Sequence, residues 1–183
     1  MTTSFTMNKP DDFHVHLREG EALTTTTQHT ASVFARALIM PNLHEPVDSV
    51  TRCEAYKKNI LATLPATHSF KPLFALYLTQ HLTQKTLYDA AKNPAIVAVK
   101  WYPGQHTTGS SHGILDEKLL MPILKTIEEL NLILCVHAET AGPNVDAFDR
   151  EKHFISNTLS PLKDRFPNLK IVVEHVTNAS TID

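Results

Sequence analysis

Six short runs rich in apolar and β-branched residues recur along the chain, each followed by a polar or turn-forming stretch. They are FHVHL at 13–17, RALIMP at 36–41, KPLFALYL at 71–78, IVAVKWY at 96–102, LILCVHA at 132–138 and KIVVEHV at 170–176. Near-continuous apolar runs of this length predict parallel strands buried on both faces. Helical patterns lie between several of them. The clearest covers 116–130, with Asp116 as N-cap, Pro122 in an early turn, and Leu119, Leu120, Ile123, Ile127 and Leu130 on one apolar stripe. Residues 49–62 and 82–92 repeat that pattern more weakly, and 146–166 is predicted helical with a break near Pro161. Alternation of strand and helix predicts a parallel α/β fold. No Pro/Ser/Gly-rich linker divides the chain, so 1–183 is expected to lie within one domain.

A doubly wound nucleotide-binding sheet carries a Gly-rich turn after its first strand. With 5 glycines in 183 residues and neither GxGxxG nor GxxxxGK[ST], the chain argues against that form. Polar residues instead cluster at the C-terminal ends of several different strands, where a (β/α)₈ barrel places its active site. The formal net charge of −2 implies no general affinity for nucleic acid or anionic membrane. No apolar run approaches the ~18–20 residues of a membrane span, and the first residues lack the basic-then-apolar pattern of a signal peptide. Cys53 and Cys135 form no CxxC-like pair and read as reduced thiols. The expectation is a cytoplasmic protein.

The 11 histidines are the unusual part of the composition. His14 and His16 stand two apart on the first predicted strand and so share a face. Two hydrogen-bonded core histidines would look the same. However, His137 and His175 end the fifth and sixth runs, so four histidines occupy like positions at three strand ends. Imidazoles converging in this way favour zinc or a similar first-row metal. Lys100 holds the same place on the fourth run. Two readings compete for it: an ammonium paired with a carboxylate, or a carbamate formed with carbon dioxide, whose oxygens can bridge two metal ions.

DDFHVHLREG, MPN at 40–42, VKWYP around Lys100, TTGSSHG at 107–113, VHAE and EHV together resemble the dihydroorotases of the amidohydrolase superfamily, nearest the monofunctional bacterial type. The resemblance runs from about Pro10 to Ile182. It implies zinc-dependent, reversible cyclisation of N-carbamoyl-L-aspartate to L-dihydroorotate in pyrimidine biosynthesis, through attack of a metal-bridging hydroxide on the cyclic amide. It implies two zinc ions, one on His14 and His16 and one on His137 and His175, bridged by carboxylated Lys100. It also implies substrate contacts from Arg18, Asn42 and His137, a lid carrying Thr107 and Thr108, a small-molecule substrate as partner, and a homodimer for the intact enzyme. Read without the resemblance, Arg18 fits a surface ion pair, but its place two residues past the HxH motif, on the same expected strand face, favours a carboxylate clamp; Asn42 fits a turn, and 104–113 an ordinary loop. Gly109 stands where the family pattern has asparagine.

His29, His44, His68, His81, His106, His112 and His153 are read as surface or structural, and Cys135 as barrel core. The family's catalytic aspartate belongs to an eighth strand and is expected beyond Asp183. Six strands match about six of eight βα units, and such barrels typically need about 250 residues. The expectation is therefore the N-terminal portion of one barrel, with strands seven and eight absent and two sheet edges open. Two alternatives stay open. One is another cyclic amidohydrolase of the hydantoinase or allantoinase kind; the other is a non-catalytic homologue that binds metal or a partner chain.

Overall fold

A computed structural model describes residues 4–103, 112–113, 117–140 and 145–182. Within them six strands form one sheet: β1 (Asp11–Val15), β2 (Arg36–Ile39), β3 (Lys71–Tyr77), β4 (Ile96–Trp101), β5 (Ile133–Val136) and β6 (Lys170–Val173). Every neighbouring pair is parallel and the spatial order is the chain order. Helices α1 (Glu21–Val33), α2 (Val50–Ala62), α3 (Gln84–Ala90) and α4 (Glu117–Glu129) fill the first four connections. Between β5 and β6 come α5 (Arg150–Phe154), a π turn (Ile155–Leu159) and α6 (Ser160–Arg165). This is the topology of a (β/α)₈ barrel, present as six strands.

Each predicted strand is found, ending one to three residues earlier than its apolar run. Among the residues left beyond the strands are His16, Tyr102, His137 and His175, which line a pocket at the strand ends. Ser49 caps α2 by accepting from the Arg52 amide at 3.3 Å, and Thr83 caps α3 by accepting from the Thr86 amide at 3.1 Å. Such caps contribute about 1 kcal/mol each.

Three differences from the sequence reading are informative. Helix α1 (EALTTTTQHTASV) was not anticipated, because four consecutive threonines are poor helix formers and blur the apolar period. Tertiary contact rescues it: Leu23, Thr27 and Thr30 are buried, and the Thr26 hydroxyl donates to the Leu17 carbonyl at 2.5 Å. On α4, Leu119 is half exposed, and Leu124 takes its place beside Leu120, Ile123 and Ile127 in the buried stripe. Near Pro161 the chain widens into the π turn and continues, since the looser turn accommodates a residue that cannot donate.

Apolar residues form two layers. The larger lies between strands and helices and includes Ile39, Ile60, Phe74, Leu76, Val99, Leu124 and Ile127. The smaller lies on the inner face of the sheet, with Leu38, Met40, Ala75, Ala98 and Cys135. The edge strands differ from the middle: Phe13 on β1 is 75% exposed and Val172 on β6 is 43% exposed, whereas Phe74, Leu76 and Val99 are buried. Among the described residues no helix is long and apolar enough to cross a membrane.

Candidate metal centre

The sheet register determines what faces the centre. Tyr77, Lys100, Cys135 and Val172 lie side by side across β3 to β6 and share the inner face. Two residues further on, side-chain alternation brings Thr79, Tyr102, His137 and Glu174 inward. On β1, Val15 packs in the outer layer, so His14 and His16 point inward. His175 has the wrong parity for this face. Its φ of 41° breaks the alternation and swings the ring back over the strand ends. Arg18 likewise owes its place to a left-handed residue (φ 64°) rather than to continuation of β1, which ends at Val15.

The result is two imidazole pairs. His14 Nε2 stands 3.1 Å from His16 Nε2, and His137 Nδ1 stands 3.0 Å from His175 Nε2. The pairs adjoin, with the His14 and His175 ring centroids 5.5 Å apart. Lys100, fully buried, sits among them and donates to Glu174 Oε2. Glu174 Oε1 lies 2.8 Å from His14 Nδ1. The second strand-end carboxylate, Glu139, is 3.5 Å from His137 Nε2. Asn42 hydrogen-bonds the His16 side chain. Together His14, His16, Arg18, Asn42, Tyr102, His137 and His175 line a pocket of about 220 Å³. It adjoins a groove of about 840 Å³ that shares Arg18 and Asn42 and also reaches Asp48, Arg52 and His81.

Electrostatics favour imidazoles that can bind a cation. Burial, helped by His14, pushes the His16 pKa down to about 4, and burial with His175 does the same to His137. Burial also lowers His175. At neutral pH these rings are uncharged and keep a lone pair. Burial lowers the Lys100 pKa against the opposing pull of Glu174. For Glu174, burial works against the charge, but His14 and Lys100 outweigh it and hold the carboxyl below its ordinary range.

The donor set fits metal. Two imidazole nitrogens at about 2.0–2.1 Å from one tetrahedral ion stand roughly 3.3 Å apart, close to the separations in both pairs. Tyr102 Oη is buried here without a hydrogen-bond partner among the described residues, whereas His14 Nδ1 and Glu174 Oε1, neither in an aligned bond, lie 2.8 Å from each other and His137 Nε2 lies 3.5 Å from Glu139. Among the described residues no group of three or more His, Cys, Asp or Glu is arranged to hold a metal ion, so the spacing argument rests on the two imidazole pairs. The Lys100–Glu174 ion pair occupies the middle, as the carboxylate-paired reading of Lys100 expects.

No family model matches the chain. Individual proteins do. It is 46% identical over 180 residues to the dihydroorotase of Rhizobium leguminosarum bv. trifolii, and 45% identical over 176 residues to that of an Azoarcus species. These alignments cover 98% and 96% of this chain. It is a relative of the dihydroorotases. The chain spans about half the length of those relatives, 52% and 51%. The crystal structure of dihydroorotase from Campylobacter jejuni superposes with a TM-score of 0.86 at 35% identity, covering 98% of this chain and 53% of the other. The Saccharomyces cerevisiae dihydroorotase, solved with 5-fluoroorotic acid, gives 0.84 at 35% identity, covering 94% and 49%. An L-hydantoinase from Arthrobacter aurescens, at 16% identity and TM-score 0.70, shares the fold.

All five expected ligands meet at one end of this dihydroorotase-like sheet, with Arg18 and Asn42 on the rim. Thr107 and Thr108 lie outside the described residues. Cys135 is core, as expected, beneath His137 and beside Lys100. Two site residues were overlooked. They are Glu174, next to His175, and Tyr102, which lines the pocket and carries a buried hydroxyl without a partner among the described residues. The signal for both was parity: counting in twos from Lys100 and Val172 reaches each of them.

Proposed function

We propose that this chain supplies the metal- and substrate-binding residues of a dihydroorotase, which reversibly closes N-carbamoyl-L-aspartate to L-dihydroorotate. The observation that carries this reading is the juxtaposition of two imidazole pairs around a buried lysine at the strand ends. His14 and His16 would hold one zinc ion, His137 and His175 a second, and carboxylated Lys100 would bridge them. When bound, such a pair of cations acidifies a water and polarises the amide carbonyl.

The chain's own residues do the rest. Arg18, on the rim of the pocket, offers a planar fork that matches the substrate carboxylate bidentately. Asn42 orients both His16 and the substrate, and His137 faces the substrate from the opposite wall. The buried Tyr102 and Tyr77 rings, 4.9 Å apart, keep water from the base of the pocket. Thr107 and Thr108 would donate to the substrate from a lid. The proton-transferring aspartate is expected from a strand beyond Asp183. By the same resemblance the intact enzyme would be a homodimer, and the unpaired cysteines suit the cytoplasm.

The test is to load the chain with zinc, as it stands and extended by the remaining strands of a dihydroorotase, and follow loss of dihydroorotate by chromatography. Turnover of dihydroorotate supports the reading. Turnover of hydantoin or allantoin alone would move the protein to another cyclic amidohydrolase. A second reading, a non-catalytic metal-binding homologue that pairs with another chain, is favoured by the exposed Phe13 and Val172 on the two edge strands. Stoichiometric zinc, a stable partner chain and no turnover in either form would support it.

A further inference from the structure

Glu174 is a buried carboxylate for which the proposed reaction has no use. Its side chain is 3% exposed, and it joins two strands that are not neighbours in the sheet, β1 and β4, by touching one side chain on each. One oxygen accepts from Lys100 Nζ. The other lies 2.8 Å from His14 Nδ1. That approach has hydrogen-bond length without full alignment, and a small rotation of either group would complete it; the Cys135 thiol also reaches the carboxylate.

We propose that Glu174 is a positioning residue of the metal centre, keeping the His14 proton on Nδ1 so that Nε2 presents its lone pair beside His16, while holding the Lys100 nitrogen between the two histidine pairs. This rests on the metal-centre reading given above. The chemistry requires a carboxylate. Lys100 and the His14 Nδ1–H are both donors, so the residue between them must offer two acceptor oxygens, and only an ionised carboxylate does so. An amide offers one. The ammonium cannot use an NH₂ group, so a glutamine would turn its oxygen to Lys100 and its NH₂ to His14. His14 would then accept at Nδ1 and carry its proton on Nε2, the nitrogen needed for metal. Carboxylates that orient metal-binding histidines in this way are typically worth 10–100-fold in metal affinity.

The experiment uses the full chain with ¹⁵N-labelled histidine, metal-free, to read the His14 tautomer from long-range ¹H–¹⁵N correlations. Zinc affinity is measured separately by competition with a chromophoric chelator. The wild type is expected to carry the His14 proton on Nδ1. Glu174→Gln is expected to move it to Nε2 and weaken zinc roughly 10–100-fold. Glu174→Asp, which keeps two acceptors, is expected to retain the wild-type tautomer. A wild-type His14 protonated on Nε2 overturns the proposal without any variant, should the variants fail to fold. A Glu174→Gln protein with the tautomer unchanged and zinc affinity within about threefold of wild type also overturns it. A wild type that binds no zinc defeats the metal-centre reading instead, and the tautomer still decides the role of Glu174.

Discussion

The two histidine pairs look alike at the strand ends but are assembled differently. His14 and His16 come from one strand and its exit, two residues apart, and Asn42 holds the second of them. His137 and His175 come from different strands, 38 residues apart. They meet only because β5 pairs with β6 and because the backbone at His175 takes a positive φ. Alternation along a strand is a short-range property, so the first pair needs little beyond β1. The second needs the sheet edge and the segment after it. Glu151 steadies that segment. Its carboxylate accepts from the Thr177 amide at 2.7 Å and the Thr177 hydroxyl at 2.5 Å, and also from the Asn178 amide and the Thr181 hydroxyl. One pair is thus built locally and the other at long range, and they can be separated experimentally.

The largest effect is expected at the group they share. Lys100→Ala leaves Glu174 buried without its counter-charge, and breaking a buried pair in this way costs about 3–5 kcal/mol. Urea unfolding checks this, and a loss below about 1 kcal/mol would show that the ion pair does not organise the centre. Leu134→Ala, beneath the β5–β6 pairing in the outer layer, is expected to cost about 2–5 kcal/mol. Its more telling readout is hydrogen exchange, which should rise at β5 and β6 while β1 stays protected. Equal loosening of β1 would remove the distinction between the pairs.

A smaller effect is expected from the clamp after His175. Burial raises the Glu151 pKa, but the bonds from Thr177, Thr181 and Asn178 more than offset this and leave it below 4.5. With the folded value depressed, the stabilisation is complete above about pH 4.5 and disappears as pH falls through that lower value. Glu151→Gln should therefore cost about 1.5–3 kcal/mol at pH 7, as bonds to a charged group do. The difference from wild type should shrink in acid. A difference that stays constant from pH 7 to pH 3 would contradict the linkage. In two-dimensional spectra the variant should disturb His175 and leave His14 in place. The smallest change is expected from Tyr102→Phe, which removes a buried hydroxyl that has no partner. The metal-free protein should gain up to about 1 kcal/mol or stay unchanged. A clear loss would mean the hydroxyl is bonded.

How far the site could be read from sequence follows the same division. The strand-end placement of His14, His16, Lys100 and His137 was legible because apolar runs and period-two alternation are written locally. Glu174 was not, because its inward direction depends on the register that sets Cys135 against Val172. His175 is legible only in part: alternation turns it outward, and its left-handed backbone returns it to the strand ends. Helix α1 was missed since a threonine run encodes little helix by itself and gains it from burial against the sheet.

By itself the sequence determined the class of fold, the order of its six strands, and the presence of four histidines and a lysine at strand ends. Those properties rest on side-chain type and on spacings of a few residues, which do not change when the chain folds. Tertiary structure alone decided which nitrogens face one another and which carboxylate Lys100 holds. Each of these depends on residues tens of positions apart being brought within hydrogen-bond distance, and that separation is fixed by sheet register and burial rather than by any local pattern.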